Sequence, residues 1–549
     1  MKELLHIHAS TSYLAAHIFN ALQPNTTNDD SSIVDNGVSF RQGFAQDGSS
    51  TFRPRALLFD YKSNSTPGYN FSYIILTLPT ILDKFGSLSH INPLYEGEDD
   101  PSTDQTWEGP LIEYRQDPIP QSFYHAQLDA GEESDKEADV ETSFDRDLPI
   151  HDLTHSVRFW SDFSHVFYHP RGLHRMPDSA EWEREIGWAQ GVERYKLYDA
   201  DHMVLEDSFR LFAEECDLLQ GVQLCLDAPS FGSFVISLLT QLRDEYPKLS
   251  LLSLCSLSSY DPAQVNLDDA QACMAALNDA STLHELGTLS TLTVPLQHPS
   301  TWQRGLWSKH VSADFAKPYH SSAILAAHVE NATLPLRLKS VSSSSLDLST
   351  LCAQLNWRGD TPFTALSGAL PMPSLPSELE LCTFDFSHPF SLHNNKSRLP
   401  LAQRDVFRGL DSREEAMVRK WGGEAQSVLQ EPSLITSYIA MPYPIPSSHP
   451  QFFTLLNSAG RKVISPSPTR VRSLPLYTSL RTTPRTGAFV GSYARLVENL
   501  LIRRGVNVLQ ELGVEREGVA EMREAFWGWN EAYGEEQGDD DGERGEDTE

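Results

Sequence analysis

No two of the six cysteines (Cys216, Cys225, Cys255, Cys273, Cys352 and Cys382) in the 549-residue chain form a CxxC pair. That spacing argues against a zinc site and against a disulfide framework, and it fits a reducing compartment. No apolar run approaches the roughly 20 residues of a membrane-spanning helix. The opening MKELLHIHAS is too short in its apolar part, and too broken by histidines, for a signal peptide. It is not an Arg-rich transit peptide either, so contact with a membrane or organelle is expected to be peripheral. Positive charge is scarce: 43 Lys and Arg stand against 75 Asp and Glu, a net charge of -32. That balance disfavours the nucleic-acid backbone and anionic lipid head groups. Much of the acid lies in two runs that read as solvated spacers. Glycine is missing where it would tell most. Glu214 to Pro247 reads as helix end, buried strand, tight turn and amphipathic helix. The turn sits where a nucleotide-binding fold holds phosphate, yet it carries Ala228, Pro229, Ser230 and Phe231.

What is present is globular: 40% hydrophobic and 10% aromatic residues, in a chain long enough for two or three domains. Glu3 to His8 reads as a first strand and Tyr13 to Leu22 as a helix with Leu14, His17, Ile18 and Ala21 on one face. Arg55 to Asp60 reads as a strand ending in an acid. Residues 207–219 form a helix with Asp207 as N-cap. Strand Val222–Leu226, helix Phe234–Leu242 and strand Leu249–Leu257 follow, an order that implies a right-handed parallel crossover. Ser340 to Ser345 marks a loop or domain edge. Tyr493 to Arg504 is an amphipathic helix with Gly505 as C-cap, and a charged helix follows from about Glu515. The expected organisation is an α/β, doubly wound N-terminal domain over 1–95 and 148–300, interrupted by an acidic, largely disordered insertion at 96–147. A second α+β domain spans 301–490, C-terminal helices 491–534, and an acidic disordered tail 535–549.

Several segments carry a resemblance. MKELLHIHASTSYLAAHIFN resembles the opening of tubulins, and Phe209 to Pro247 resembles the tubulin segment that holds the loop GGGTGSG. The ends of that second segment match (Cys216-Asp217, Leu219-Gln220-Gly221, Arg243 to Pro247) and its middle does not. A closer likeness is to fungal members of the Misato family of tubulin-like proteins. It is carried by Val34-Asp35 to Phe40-Arg41 with Asp47-Gly48, Thr51-Phe52 and Pro54-Arg55. Ser161-Asp162-Phe163 to His169-Pro170-Arg171, Glu214 to Leu218, and Arg243 to Lys248 also carry it. His320 to Ala323 and Ala332 to Pro335 keep a weaker likeness. The resemblance implies a tubulin-like fold and a role in mitochondrial partitioning and mitochondrial DNA inheritance, with links to cell division.

Phosphate loops use glycine because it tolerates positive φ and lets backbone N–H groups reach the phosphate oxygens. Here Ser230, Gly232 and Ser233 are the only residues of the second loop suited to a phosphate. Phe231 either projects toward the phosphate position or tucks into the core. Where tubulins show A-G-Q-C-G-N-Q, the chain shows Ala9 to Ala15, leaving the hydroxyls of Ser10, Thr11 and Ser12 at a helix N-terminus. N-capping by Ser10 or Ser12 is the favoured reading of these hydroxyls. Asp60 stands where the tubulin aspartate lies near the nucleotide's magnesium, though a lone Asp at a strand end is more often a turn residue. These seven positions are the vestigial cofactor-binding set. No catalytic or metal residue is assigned and no cofactor is expected, with GTP as the alternative.

His6 and His8 share one face of a strand and read as core histidines rather than ligands. His165 and His169 are four apart, but Pro170 opposes a helical metal site. Ser256, Ser258 and Ser259 lie in no GxSxG elbow. Phe526, Trp527, Trp529 and Tyr533 form either a docking helix for a partner or one that closes the protein's own core. The resulting expectation is a non-enzymatic interaction protein, peripheral to the mitochondrion and in the cytoplasm. It would work through protein partners at the mitochondrial surface or among cytoskeletal or chaperonin components, without direct nucleic-acid binding, membrane insertion or self-polymerisation. Two alternatives stand beside it: a GTP-binding, GTPase-like cytoskeletal protein, and a cytosolic assembly factor for tubulin or chaperonin.

Overall fold

The computed structural model describes residues 2–23, 34–44, 50–61, 122–128, 152–176, 187–339, 346–373, 376–389, 400–427, 434–463, 470–503 and 516–534. Its strands are β1 Glu3–Ala9, β2 Phe40–Phe44, β3 Ser50–Pro54, β4 Ala56–Tyr61, β5 Leu173–Met176, β6 Leu219–Asp227, β7 Leu251–Ser256 and β8 Leu292–Leu296. In the second half lie β9 Ala365–Ala369, β10 Phe384–Asp385, β11 Ala402–Arg408, β12 Ile435–Ala440, β13 Tyr443–Pro444, β14 Ser473–Leu474 and β15 Leu476–Thr482. The main helices are α1 Ser12–Leu22, α2 Trp188–His202, α3 Ala228–Glu245, α4 Ala270–Leu289 and α5 Pro318–Thr333. They continue with α6 Leu348–Leu355, α7 Pro376–Cys382, α8 Ser412–Ser427, α9 Pro484–Arg503 and α10 Arg516–Ala532.

Six strands form a parallel sheet in the order β5-β4-β1-β6-β7-β8. Counted along the chain this is third, second, first, fourth, fifth, sixth, the doubly wound order whose direction reverses between β1 and β6. Both faces are covered, so the strands read as apolar runs rather than alternating ones. Every residue of β1 is buried. On one face Leu4, Leu58, Cys225 and Val294 pack with α1 and α5. On the other, Leu5, Phe59, Leu224 and Cys255 pack with α3, α4, α9 and α10. His6 and His8 both meet Phe19 edge-on, at 5.2 and 5.9 Å. Burial drives both imidazoles toward the neutral form, His8 down to about 3.

The second sheet is mixed, β10-β9-β15-β11-β12. Helix α5 lies across it. Its Glu330 accepts from Arg337 Nη2 at 2.9 Å and from Arg408 Nη1 at 2.7 Å, all three residues being buried. The two sheets join where Thr293 N donates to Pro362 O (2.7 Å) and Thr364 N donates to Thr293 O (2.9 Å).

Several sequence boundaries move. The helix expected at 207–219 is a π-helical turn, Val204–Phe209, running into Arg210–Glu214, and Leu219 already belongs to β6. The helix expected at Phe234–Leu242 begins six residues earlier, at Ala228. His165 and His169 lie on no α-helix; His169 Nδ1 accepts from Arg171 N as the cap of a 3-10 turn. Of the insertion 96–147, residues 122–128 are described, and they are anchored. Ser122 Oγ donates to Asp162 O (2.8 Å), His125 Nε2 to Ser164 O (2.8 Å), and Tyr124 is buried. Ser340–Ser345, Gly505 and the tail from Glu535 lie outside the described residues. The aromatic group on α10 closes the protein's own core. Phe526 and Tyr533 are fully buried, Trp527 and Trp529 pack beside them, and the Tyr533 hydroxyl bonds both O and N of Phe363 at 2.7 Å.

Candidate functional site

In a doubly wound sheet, ligands bind outside the carboxyl ends of the strands where the strand order reverses. A cavity of about 160 Å³ lies there, bounded by the ends of β1, β4 and β6 and by the heads of α1 and α5. Ser10, Thr11, Ser12 and Asp60 line it together, as the sequence brings them to strand ends. Ser10 has φ 55°, a left-handed conformation that costs a non-glycine residue roughly 1–2 kcal/mol. Its N–H donates to Phe59 O (2.9 Å), so β1 turns out of the sheet where a glycine would turn more easily. The Thr11 hydroxyl is used internally, donating to Cys225 O at 3.1 Å. Ser12 is 2% exposed, and its Oγ has no hydrogen-bond partner.

The other three residues of the set lie elsewhere. β6 ends at Asp227 and α3 begins at Ala228, so the segment read as a loop forms the first turns of a helix. Ser230 Oγ donates to Asp227 Oδ2 at 2.5 Å. A Cβ on Gly232 would overlap Thr282 Oγ1 of α4, and a Cβ on Gly191 of α2 would overlap Ser233 Oγ. Gly232 and Ser233 therefore set how closely α3 approaches its neighbouring helices. Phe231 is 1% exposed and meets Phe234 edge-on at 5.5 Å, in the core rather than in the cavity. Gly232→Ala is expected to cost about 1–3 kcal/mol by overpacking. Adding Thr282→Ala should recover part of that loss, as measured by urea denaturation. A phosphate-binding glycine would show no such coupling.

Sequence reasoning misses Asp227, Ser256, His298, Ser300, Ser321 and Ser322, all of which line the cavity. Asp227 has a readable signal, an acid at the carboxyl end of a buried strand. Ser321 and Ser322 lie in a segment already singled out by resemblance. His298 joins only through the fold; burial lowers its affinity for a proton, and its Nδ1 lies 2.7 Å from Ser300 Oγ. Among the described residues no Lys or Arg lines the cavity, and no group of three or more His, Cys, Asp or Glu is placed to hold a metal.

Asp227 is 6% exposed. Burial pushes its carboxyl up to about 6, with the Ser230 hydroxyl and N–H holding it partly down. The unfolded carboxyl titrates near 3.9. Above pH about 6 the native state therefore carries a buried charge that the unfolded chain carries in water. As pH falls toward about 4 the native state takes up the proton first and the penalty fades. Asp227→Asn is expected to raise stability at neutral pH by about 1–3 kcal/mol. That gain should shrink to nothing by about pH 4 in denaturation series run across pH.

Among the described residues the lining lacks the features that hold a nucleoside triphosphate. The cavity is smaller than the roughly 300–1,000 Å³ of sites that enclose drug-sized ligands. Among the described residues no glycine loop faces it to cradle phosphates, and its lining includes the acids Asp60 and Asp227 and no Lys or Arg.

Strand order, the position of the cavity and the long helix α5 joining two sheets define a tubulin-like protein. A tubulin domain model matches residues 150–338, and a Misato segment II tubulin-like domain model matches residues 5–69. Protein DML1 of Gibberella zeae is 30% identical over 554 aligned residues, covering 97% of each chain. Protein dml1 of Aspergillus clavatus is 26% identical over 94% of this chain and 96% of its own. Protein misato homolog 1 of Mus musculus is 27% identical over 67% and 70%. The chain belongs to the Misato/DML1 family of tubulin-like proteins.

Proposed function

We propose that the chain is a non-enzymatic tubulin-like protein acting in mitochondrial partitioning and mitochondrial DNA inheritance. One observation carries the non-enzymatic part: β6 passes into α3 with no residue between Asp227 and Ala228. The glycine loop that would wrap a phosphate in backbone N–H groups is absent there: Pro229 has no N–H to offer, and the head of α3 already carries the Asp227 carboxylate. Membership of the Misato/DML1 family supports the process. In this reading the protein works through protein partners, sits at the mitochondrial periphery and in the cytoplasm, and does not polymerise alone. No helix among the described residues is long and apolar enough to cross a membrane, in keeping with peripheral contact.

Two measurements test this. Depleting the protein in cells should lower mitochondrial DNA copy number and skew mitochondrial segregation at division; normal inheritance after depletion would refute the process. Purified protein should release no phosphate from GTP above a buffer blank. Steady turnover, or nucleotide-dependent pelleting, would return the reading to a GTPase-like cytoskeletal protein.

A further inference from the structure

We propose that Asp227 is a resident anion at the head of α3, which closes the cavity to oxyanions and leaves it open only to ligands without negative charge. The inference rests on the non-enzymatic reading and concerns the same cavity. Three helices of ordinary length, α1, α3 and α5, begin at its wall. The partial positive charge of such helix ends favours an anion. At α3 that place is taken from within: Asp227 is the N-cap, its Oδ2 accepts the Ser230 hydroxyl, and it faces the cavity. At α1 the place is open. Ser12 Oγ is buried, lines the cavity and has no partner, so a polar group remains there to be satisfied. A volume of about 160 Å³ holds a molecule the size of inorganic phosphate. What bars phosphate is charge, because an oxyanion entering would meet the Asp227 carboxylate in a lining that also holds Asp60 and, among the described residues, no Lys or Arg.

The test uses the full chain and inorganic phosphate, well above pH 6 so that Asp227 is ionised. Thermal unfolding is followed against phosphate concentration, with chloride at matched ionic strength as reference. Asp227→Asn keeps the shape at the N-cap position, and Asp227→Ser puts there a smaller residue that the position also favours. Both variants are expected to gain a phosphate-dependent rise in Tm with an apparent affinity at least about tenfold above wild type, and phosphorus NMR should show line broadening only with the variants. A wild-type response equal to theirs, or variants that fold and respond no more than wild type does, would overturn the proposal. Either result leaves the non-enzymatic reading standing, since that reading falls on GTP turnover by the wild type.

Discussion

Glu330→Ala is expected to destabilise the protein by about 3–5 kcal/mol, the range for breaking a buried ion pair from one side. Glu330 accepts from Arg337 and from Arg408, and none of the three is exposed by more than a few per cent. Arg337 also donates to Glu330 O (2.8 Å) and Thr333 Oγ1 (3.1 Å), and Arg408 Nε donates to Met441 O (2.9 Å). Burial disfavours the Arg337 cation, and Glu330 offsets part of that penalty. Without the carboxylate, two guanidinium groups stay buried with carbonyl and hydroxyl acceptors alone. The network is not thereby a net gain over an apolar core. Replacing all three residues together (Glu330→Leu, Arg337→Met, Arg408→Met) is expected to recover most of the loss. Denaturant midpoints of the single and triple variants separate the two statements: an additive triple would mean that the cost lies in lost packing rather than in orphaned charge.

Tyr533→Ala is expected to cost a similar amount, about 3–5 kcal/mol, by opening a cavity where a fully buried ring was. Tyr533 is the last large side chain of the α9–α10 pair. Its ring fills the face of the first sheet that α3 and α4 also cover, and its hydroxyl closes both backbone groups of Phe363. Phe363 lies on the strip that joins the two sheets. Tyr533→Phe keeps the ring and removes the hydroxyl, leaving those two backbone groups unsatisfied. Its cost should be smaller, about 1–3 kcal/mol. Equal costs for the two variants would place the whole contribution in the hydroxyl.

These residues mark how far the sequence can be read. The stripe Phe526, Trp529, Tyr533 has helical spacing, and periodicity alone puts it on one face. Whether that face meets a partner or the chain itself is not written in its periodicity, because the answer depends on Phe363, 170 positions away. The placing of Ser10, Thr11, Ser12 and Asp60 is equally legible, since strand ends are marked by the change from apolar to small polar residues. The start of α3 is not. Pro229 and Gly232 read as loop residues, yet proline is at home in a first helical turn, and Gly232 answers to Thr282 on another helix. Both residue types carry two meanings, and only the neighbouring helix selects between them. Asp227 escapes notice because the apolar run stops at Leu226, one residue short of the end of β6.

The direct passage from β6 into α3 has a consequence for control. A protein that reports on its ligand needs a segment able to rest in two positions, released in one state and held in the other. At the junction of β6 and α3 the backbone goes from ladder to helix without a slack residue, so no such segment lies between these two elements. A ligand that reached the head of α3 would therefore meet the β6–α3 backbone in a single posture.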